Sequence, residues 1–196
     1  MILKRLFDFA ASLAGLLLLS PVLLLTAVLI RIAMPGGPVL FRHIRVGRFG
    51  KLFTLIKFRT MIPRHNGNSI TVSGEQRITP VGRILRKYKI DELPELWNVL
   101  VGDMSLVGPR PDVPGYNDKL TGLDRRLLDL RPGITGPATL KYAHEEELLA
   151  RQPDPVKFND EVIFPDKVRI NLVYLDNWSF WTDLKIIWRT VFRKKI

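Results

Sequence analysis

The chain has 196 residues, enough for one domain with a substantial core and too few for two large ones. Thirty Lys and Arg against nineteen Asp and Glu leave a net charge of +11, which points to anionic partners: nucleic acid, anionic lipid headgroups or phosphorylated substrates. There is no Cys, which excludes disulfides and thiolate catalysis; His43, His65 and His144 are scattered, and the absence of Walker A and GxGxxG patterns weighs against kinase, ATPase and dehydrogenase chemistry.

The first element is apolar. Phe9 to Ile30 carries no charged residue, and as a helix it would be ~33 Å long, enough to cross a hydrocarbon core ~30 Å thick. Its nine Leu each favour lipid by roughly 0.3–0.6 kcal/mol, offset in part by Ser12, Ser20 and Thr26. A secretory signal would have a shorter apolar run and an Ala-x-Ala cleavage site, so residues 1–34 read as a retained membrane anchor. Ser20-Pro21 sits mid-run, where proline removes an N–H and clashes with the carbonyl four residues back, so a kink is expected there. Two arrangements stay open, a kinked spanning helix and a re-entrant hairpin with both ends on one face. Lys4 and Arg5 precede the run while Arg31, Arg42, Arg45 and Arg48 follow it. A spanning helix would place one basic flank outside, so the charge pattern leans towards the hairpin.

Met34-Pro35-Gly36-Gly37-Pro38 is a breaker cluster, after which residues 35–196 read as one catalytic unit. Val39 to Met61 reads as two short strands around a turn near Gly47 to Gly50, with Leu52, Thr54, Ile56 and Phe58 alternating against their neighbours. Residues 62–78 are polar and rich in Gly, Asn and Ser, hence a mobile loop. Thr79-Pro80 reads as an N-cap with proline at the first helical position, and Val81, Ile84, Leu85 and Tyr88 form one face of that helix. A second short helix is expected to start within Asp91 to Pro94 and to bury Leu93, Leu96, Trp97 and Leu100. Near the end, Phe180, Leu184, Ile187, Trp188 and Val191 recur at helical spacing, flanked by Arg189, Arg193, Lys194 and Lys195. That helix either packs in the core or lies at a membrane interface.

Chemistry centres on Asp91-Glu92. Adjacent carboxylates are usually a solvated or capping pair, but these sit at an expected helix start, where the dipole favours negative charge, with Arg86, Lys87 and Lys89 nearby. Such a carboxylate can stay ionised and hold Mg²⁺, which takes a few carboxylates plus phosphate oxygens. It can also attack phosphorus as a nucleophile, with the cations offsetting a diphosphate's charge.

The block from Asp91 to Pro111 resembles the signature of the bacterial sugar transferases that act on polyprenyl phosphate, the monotopic phosphoglycosyl transferases. Lys57-Phe58-Arg59-Thr60-Met61, Arg131-Pro132-Gly133-Ile134-Thr135-Gly136, the Ser20-Pro21 helix break and Asn177-Trp178-Ser179 through Asp183-Leu184 match further elements of that family in the right order. The match covers almost the whole chain, and the length suits the small single-domain members. The resemblance implies transfer of a hexose-1-phosphate from a UDP-sugar to undecaprenyl phosphate, with release of UMP, at the cytoplasmic face of the bacterial plasma membrane. It implies Asp91 as nucleophile and Mg²⁺ ligand, forming a covalent phosphosugar intermediate, and Glu92 as a helper that deprotonates the lipid phosphate or positions the site. Lys57, Arg86 and Arg110 fall on the family's functional basic positions.

The residues themselves leave other roles open. Lys57 and Arg59 are candidate phosphate ligands or strand residues facing water. Arg110, stiffened between two prolines, suits bidentate phosphate contact, and Arg131 is either a phosphate ligand or an anchor for its own turn. Asp103 is a second acidic contributor or, the reading preferred, a turn-forming Asx residue. After Gly136 the chain departs from the family pattern, so Lys141 or His144 would have to substitute there; Asn171 stands where some members carry Asp. Residues 144–169 read as an insert that shapes sugar choice or is a solvated loop. A membrane-tethered nucleic-acid binder fits the charge but has no recognition motif; a noncatalytic scaffold subunit of a polysaccharide assembly system is opposed by the intact dyad. The expected partners are therefore UDP-sugar, undecaprenyl phosphate and the bilayer, without nucleic acid, and a homodimer is left open. The expected fold is α/β of irregular topology: a kinked re-entrant membrane helix, a small β-hairpin or sheet and surface amphipathic helices.

Overall fold

The computed structural model describes residues 2–62 and 77–192. The loop expected over 62–78 lies almost wholly outside the described residues, as do His65, Arg193, Lys194 and Lys195.

Helix α1 (Ile2–Leu18) and helix α2 (Ser20–Ala33) meet at a 59° bend, so the expected break falls at the expected place. Pro21 occupies the first turn of α2, where a missing N–H is harmless, and Ser20 Oγ donates to the Leu17 carbonyl at 2.8 Å. Neither helix alone is long and apolar enough to cross a membrane; the bent pair together meets that test on length and composition only. The burial of α1 is inverted relative to a soluble helix. Lys4, Asp8 and Ser12 are buried, whereas Ile2, Leu6, Leu17 and Leu18 are exposed, as are Leu24, Leu25 and Ile32 of α2.

Each buried polar group of the first turns is matched. Lys4 Nζ pairs with Asp183 at 2.5 Å, and Asp8 accepts from Ser105 Oγ at 2.8 Å and the Leu106 N–H at 3.1 Å. Arg5 forks onto the Val99 and Leu100 carbonyls at 2.5 and 2.7 Å. At the other end, Ile30 and Met34 pack with Phe58 and Leu85. Both ends of the apolar pair are thus fastened to the same body.

Strand β1 (Leu40–Val46) and strand β2 (Leu52–Phe58) form an antiparallel hairpin, Leu40 opposite Phe58 and Val46 opposite Leu52. Its turn takes positive φ at Phe49 and Gly50. The expected inward set of β2 does not hold: Leu55 and Phe58 are buried while Leu52 and Thr54 are exposed. These two face opposite ways, Phe58 into the cluster with Ile30 and Leu85 and Leu55 into one with Val99 and Met104. Cover on both faces removes the simple alternation.

Thr79 caps helix α3 (Pro80–Lys87) by accepting from the Gly82 N–H at 2.9 Å, as expected. A Cβ at Gly82 would lie 2.0 Å from the Thr60 carbonyl oxygen, so the helix rests on backbone there. That contact rotates α3: Leu85 is buried and Val81 packs beside it, but Ile84 and Tyr88 face outward. A 3₁₀ turn (Ile90–Glu92) then leads to helix α4 (Glu95–Val101).

Strand β3 (Ser105–Val107) pairs in parallel with strand β4 (Gly133–Thr135), so there are two separate two-stranded sheets among the described residues rather than one. Short helices α5 (Pro137–Lys141), α6 (Glu145–Ala150) and α7 (Pro155–Phe158) follow, then a π-helical turn (Asn159–Ile163) and helix α8 (Phe164–Asp176). Helix α9 (Phe180–Val191) is capped by Ser179, which accepts from the Thr182 N–H at 3.1 Å. Ile186 and Ile187 pack against Val107, Leu130 and Tyr174, while Trp181, Trp188 and Val191 are exposed, so α9 combines a core face with an outward aromatic one.

Candidate active site

The dyad sits on strained backbone. Lys89 adopts φ 58°, costly for a residue with a Cβ, and turns the chain out of α3 into the 3₁₀ turn that presents Asp91 and Glu92. Asp91 therefore precedes α4 by a full turn instead of beginning it.

Helix α4 buries Glu95, Asn98 and Val99, and leaves Trp97 half exposed, which corrects the expected apolar face. The physical reason is an edge to be satisfied. Asn98 Oδ1 accepts the Ile56 N–H at 3.1 Å and its Nδ2 donates to the Thr54 carbonyl at 2.8 Å, which clamps α4 to the open side of β2. Arg5 closes the other end of α4 on its terminal carbonyls.

The clamp brings Lys57 of β2 to the dyad. Its Nζ lies 3.0 Å from Glu92 Oε1 and 3.0 Å from Glu95 Oε1. Arg110 Nη2 reaches the same Glu92 oxygen at 2.7 Å, and Lys89 stands 4.0 Å away. Arg110 is placed by two glycines. A Cβ at Gly108 would meet the Arg131 carbonyl oxygen at 2.3 Å, and one at Gly133 the Gly108 nitrogen at 2.1 Å. Backbone thus lies on backbone, with Gly108 N–H to Thr135 at 2.9 Å and Gly133 N–H to Pro109 at 2.8 Å, and Pro109-Arg110-Pro111 is held rigidly.

The two carboxylates are driven apart. Burial works to raise Glu92, but Arg110, Lys57 and Lys89 outweigh it and hold Glu92 well below the usual range. Asp91 is 7% exposed, and its Oδ1 has no hydrogen-bond partner among the described residues. Burial first, and the Glu92 charge second, push its carboxyl above the ordinary value; Lys57, Lys89 and Arg86 pull the other way. Glu95, 2% exposed, is also pushed up, chiefly by burial.

A model of the bacterial sugar transferase family matches residues 1–194. The chain belongs to that family. It is 40% identical over 191 residues to the uncharacterized sugar transferase EpsL of Bacillus subtilis, covering 97% of this chain and 86% of that protein. It is 40% identical over 196 residues to a UDP-glucose:undecaprenyl-phosphate glucose-1-phosphate transferase of Caulobacter vibrioides, covering 96% and 68%. A UDP-N-acetylgalactosamine-undecaprenyl-phosphate N-acetylgalactosaminephosphotransferase of Aeromonas hydrophila is 36% identical over 197 residues; the chain spans 43% of its length.

In this sugar transferase, Lys57, Arg86 and Arg110 gather around the dyad. Lys57 and Arg110 touch Glu92, whereas Arg86 acts on Asp91 through its field and is itself paired with Glu146. Arg59 and Arg131 do not join them. Arg59 is buried and donates to the Met34 carbonyl at the end of α2, neither facing water nor reaching the dyad; Arg131 Nε donates to the Gly102 carbonyl at 2.9 Å and anchors its turn. Lys141 pairs with Asp166 at 2.6 Å and His144 with Glu147 at 3.3 Å, so both are engaged within the divergent region. Asn171 is buried in α8, its Oδ1 without a hydrogen-bond partner among the described residues. Asp103 lies 3.5 Å from Asn98 Nδ2, beside the clamp.

Sequence reasoning missed Glu95 and Asn98. The available signal was their spacing: with Glu92 they recur every three residues, the one polar stripe in an otherwise apolar segment.

Proposed function

We propose that this sugar transferase moves a sugar-1-phosphate from a UDP-sugar to undecaprenyl phosphate at a membrane surface, releasing UMP and leaving a lipid-diphosphate-sugar as a primer for glycan synthesis. The observation that carries the reading is the unpartnered Oδ1 of buried Asp91, set in the field of Lys57, Lys89 and Arg86. An orphaned carboxylate oxygen among cations suits an acceptor that arrives with the substrate.

In the first half-reaction an Asp91 oxygen attacks the sugar-bearing phosphorus; the P–O bond to the nucleoside phosphate breaks, and UMP leaves as an acyl phosphate forms on Asp91. In the second, an oxygen of the lipid phosphate attacks the same phosphorus and releases Asp91. The two substrates need not be bound together, which suits a small site. Glu92, held strongly acidic by two cations on one oxygen, is a weak base and acts by positioning Arg110 and Lys57.

Among the described residues no three His, Cys, Asp or Glu converge on a metal position. The unpartnered Oδ1 of Asp91 suits Mg²⁺, which takes one or two protein carboxylates and fills its shell with water and phosphate oxygens; Asp91 would hold it. Bound there, Mg²⁺ supplies charge neutralisation for the diphosphate.

A re-entrant reading of α1 and α2 is supported by their inverted burial and by the ties of both ends to one body; the basic residues on both flanks favour placing that body on the cytoplasmic face. Turning the apolar face outward leaves Leu and Ile side chains for lipid to cover. The lipid phosphate cannot leave the interface, so the dyad must be carried to it.

The test is UMP release by the purified, detergent-solubilised protein with Mg²⁺, undecaprenyl phosphate and a panel of UDP-sugars. Turnover with a donor, lost in Asp91→Asn and on chelation, is expected. A folded protein that releases no UMP from any donor overturns the reading.

A further inference from the structure

Arg86 closes α3 beside Asp91, yet its side chain is paired with a carboxylate from the divergent region, Nη2 donating to Glu146 Oε1. That contact takes one N–H of a planar guanidinium that carries five, so an arriving anion has another edge to bind. The pair contributes little to the fold, since the Glu146 side chain is 46% exposed. The neighbouring Glu145 is held by Lys167 at 2.7 Å, and its charge reaches Arg110 and Asp112. The start of α6 therefore stands beside Arg86 and Arg110, two of the four cations around the dyad.

This arrangement fixes what lies next to the sugar, and the argument rests on the function proposed above. Asp91 Oδ1 is buried and unpartnered, so the phosphorus under attack has to come to it, with Arg86 alongside. The sugar hangs from that same phosphate. Glu146 stands one guanidinium away, on the side of Asp91 where the Arg86 charge acts.

We propose that Glu146 is a sugar-reading residue, which accepts hydrogen bonds from hydroxyls of the donor hexose and excludes hexuronic acids by charge. An ionised carboxylate only accepts hydrogen bonds, so it matches hydroxyl or amino groups and repels a C6 carboxylate. Arg86 holds the reading group in place without itself contacting the sugar.

UDP-glucose and UDP-glucuronate differ only at C6, and they give the test. Each is measured as a competitor of UMP release from the best donor, in wild type and in Glu146→Gln, which keeps the shape and removes the charge. Wild type is expected to prefer UDP-glucose over UDP-glucuronate by about tenfold or more, and Glu146→Gln to lose most of that preference. Arg86→Gln removes the paired cation and leaves the Glu146 charge, so it controls for the guanidinium freed in Glu146→Gln: the preference is expected to be kept in Arg86→Gln and lost in Glu146→Gln. An unchanged ratio, with both competitors shifted by one factor, overturns the inference and leaves Glu146 as a holder of Arg86. A wild type that turns over no donor overturns the proposed function itself, a distinguishable result.

Discussion

Arg110 Nη2 lies 2.7 Å from Glu92 Oε1, and Lys57 Nζ lies 3.0 Å from the same oxygen. One carboxylate oxygen thus ties the hairpin, the dyad and the loop after β3 into one charged centre. Arg110→Ala removes one of its two close cations. Because the Arg110 side chain is 39% exposed, the expected loss of stability is modest, about 1–2 kcal/mol, while transfer falls about 10²–10³-fold. Arg110→Lys is expected to recover stability but little activity, since a point charge cannot replace the fork. Thermal unfolding and UMP release on the same preparations check both.

Asn98 joins α4 to β2 through two part-buried hydrogen bonds to backbone. Asn98→Ala leaves the Ile56 N–H and Thr54 carbonyl unsatisfied and is expected to cost about 2–3 kcal/mol, read as a lower urea midpoint. Activity falls with it, because Lys57 and the dyad are held together across that clamp.

Asp112 follows the rigid Pro109-Arg110-Pro111 segment, and burial pushes its carboxyl from 3.8 up to about 6. The folded state therefore holds this proton more tightly than the unfolded chain does. Its stabilising effect is full below the unfolded value and is lost as pH rises through about 6. Asp112→Asn is expected to raise unfolding free energy by about 1–2 kcal/mol above neutral pH and to change it little near pH 4. Urea titrations at the two pH values give the comparison.

A chain without Cys offers a clean background for topology. Ile2→Cys and Lys51→Cys, each labelled in sealed vesicles with an impermeant maleimide, are expected to react from the same side. Ile2 reacting from the side opposite to Lys51 contradicts the hairpin.

What the sequence made legible follows a physical divide. The Ser20-Pro21 break, the β1–β2 hairpin and the Thr79 cap are local effects of proline, alternation and a side-chain oxygen, and all stand where residue order placed them. The faces of β2, α3 and α4 were misread because distant contacts set them: cover on both sides of β2, the approach of Gly82 to Thr60, and the Asn98 clamp on a strand edge. The dyad and the gathering of Lys57, Arg86 and Arg110 were readable from motif order. Arg59 and Arg131 were not, since nothing in their spacing reveals that they end on the backbone carbonyls of Met34 and Gly102. Lys4 read as flanking charge and Asp8 drew no reading; only the fold sets Asp183 and Ser105 against them.

The central claim is that Asp91 carries the phosphosugar between substrates. The most direct test is incubation of the enzyme with Mg²⁺ and its UDP-sugar in the absence of lipid phosphate, followed by rapid quench and intact-protein mass. The account predicts a burst of UMP of about one equivalent and a matching gain of one sugar-phosphate mass, mapped to Asp91 and abolished in Asp91→Asn. UMP release that strictly requires the lipid phosphate, with no adduct at any time, would contradict it and point to direct transfer between the two substrates.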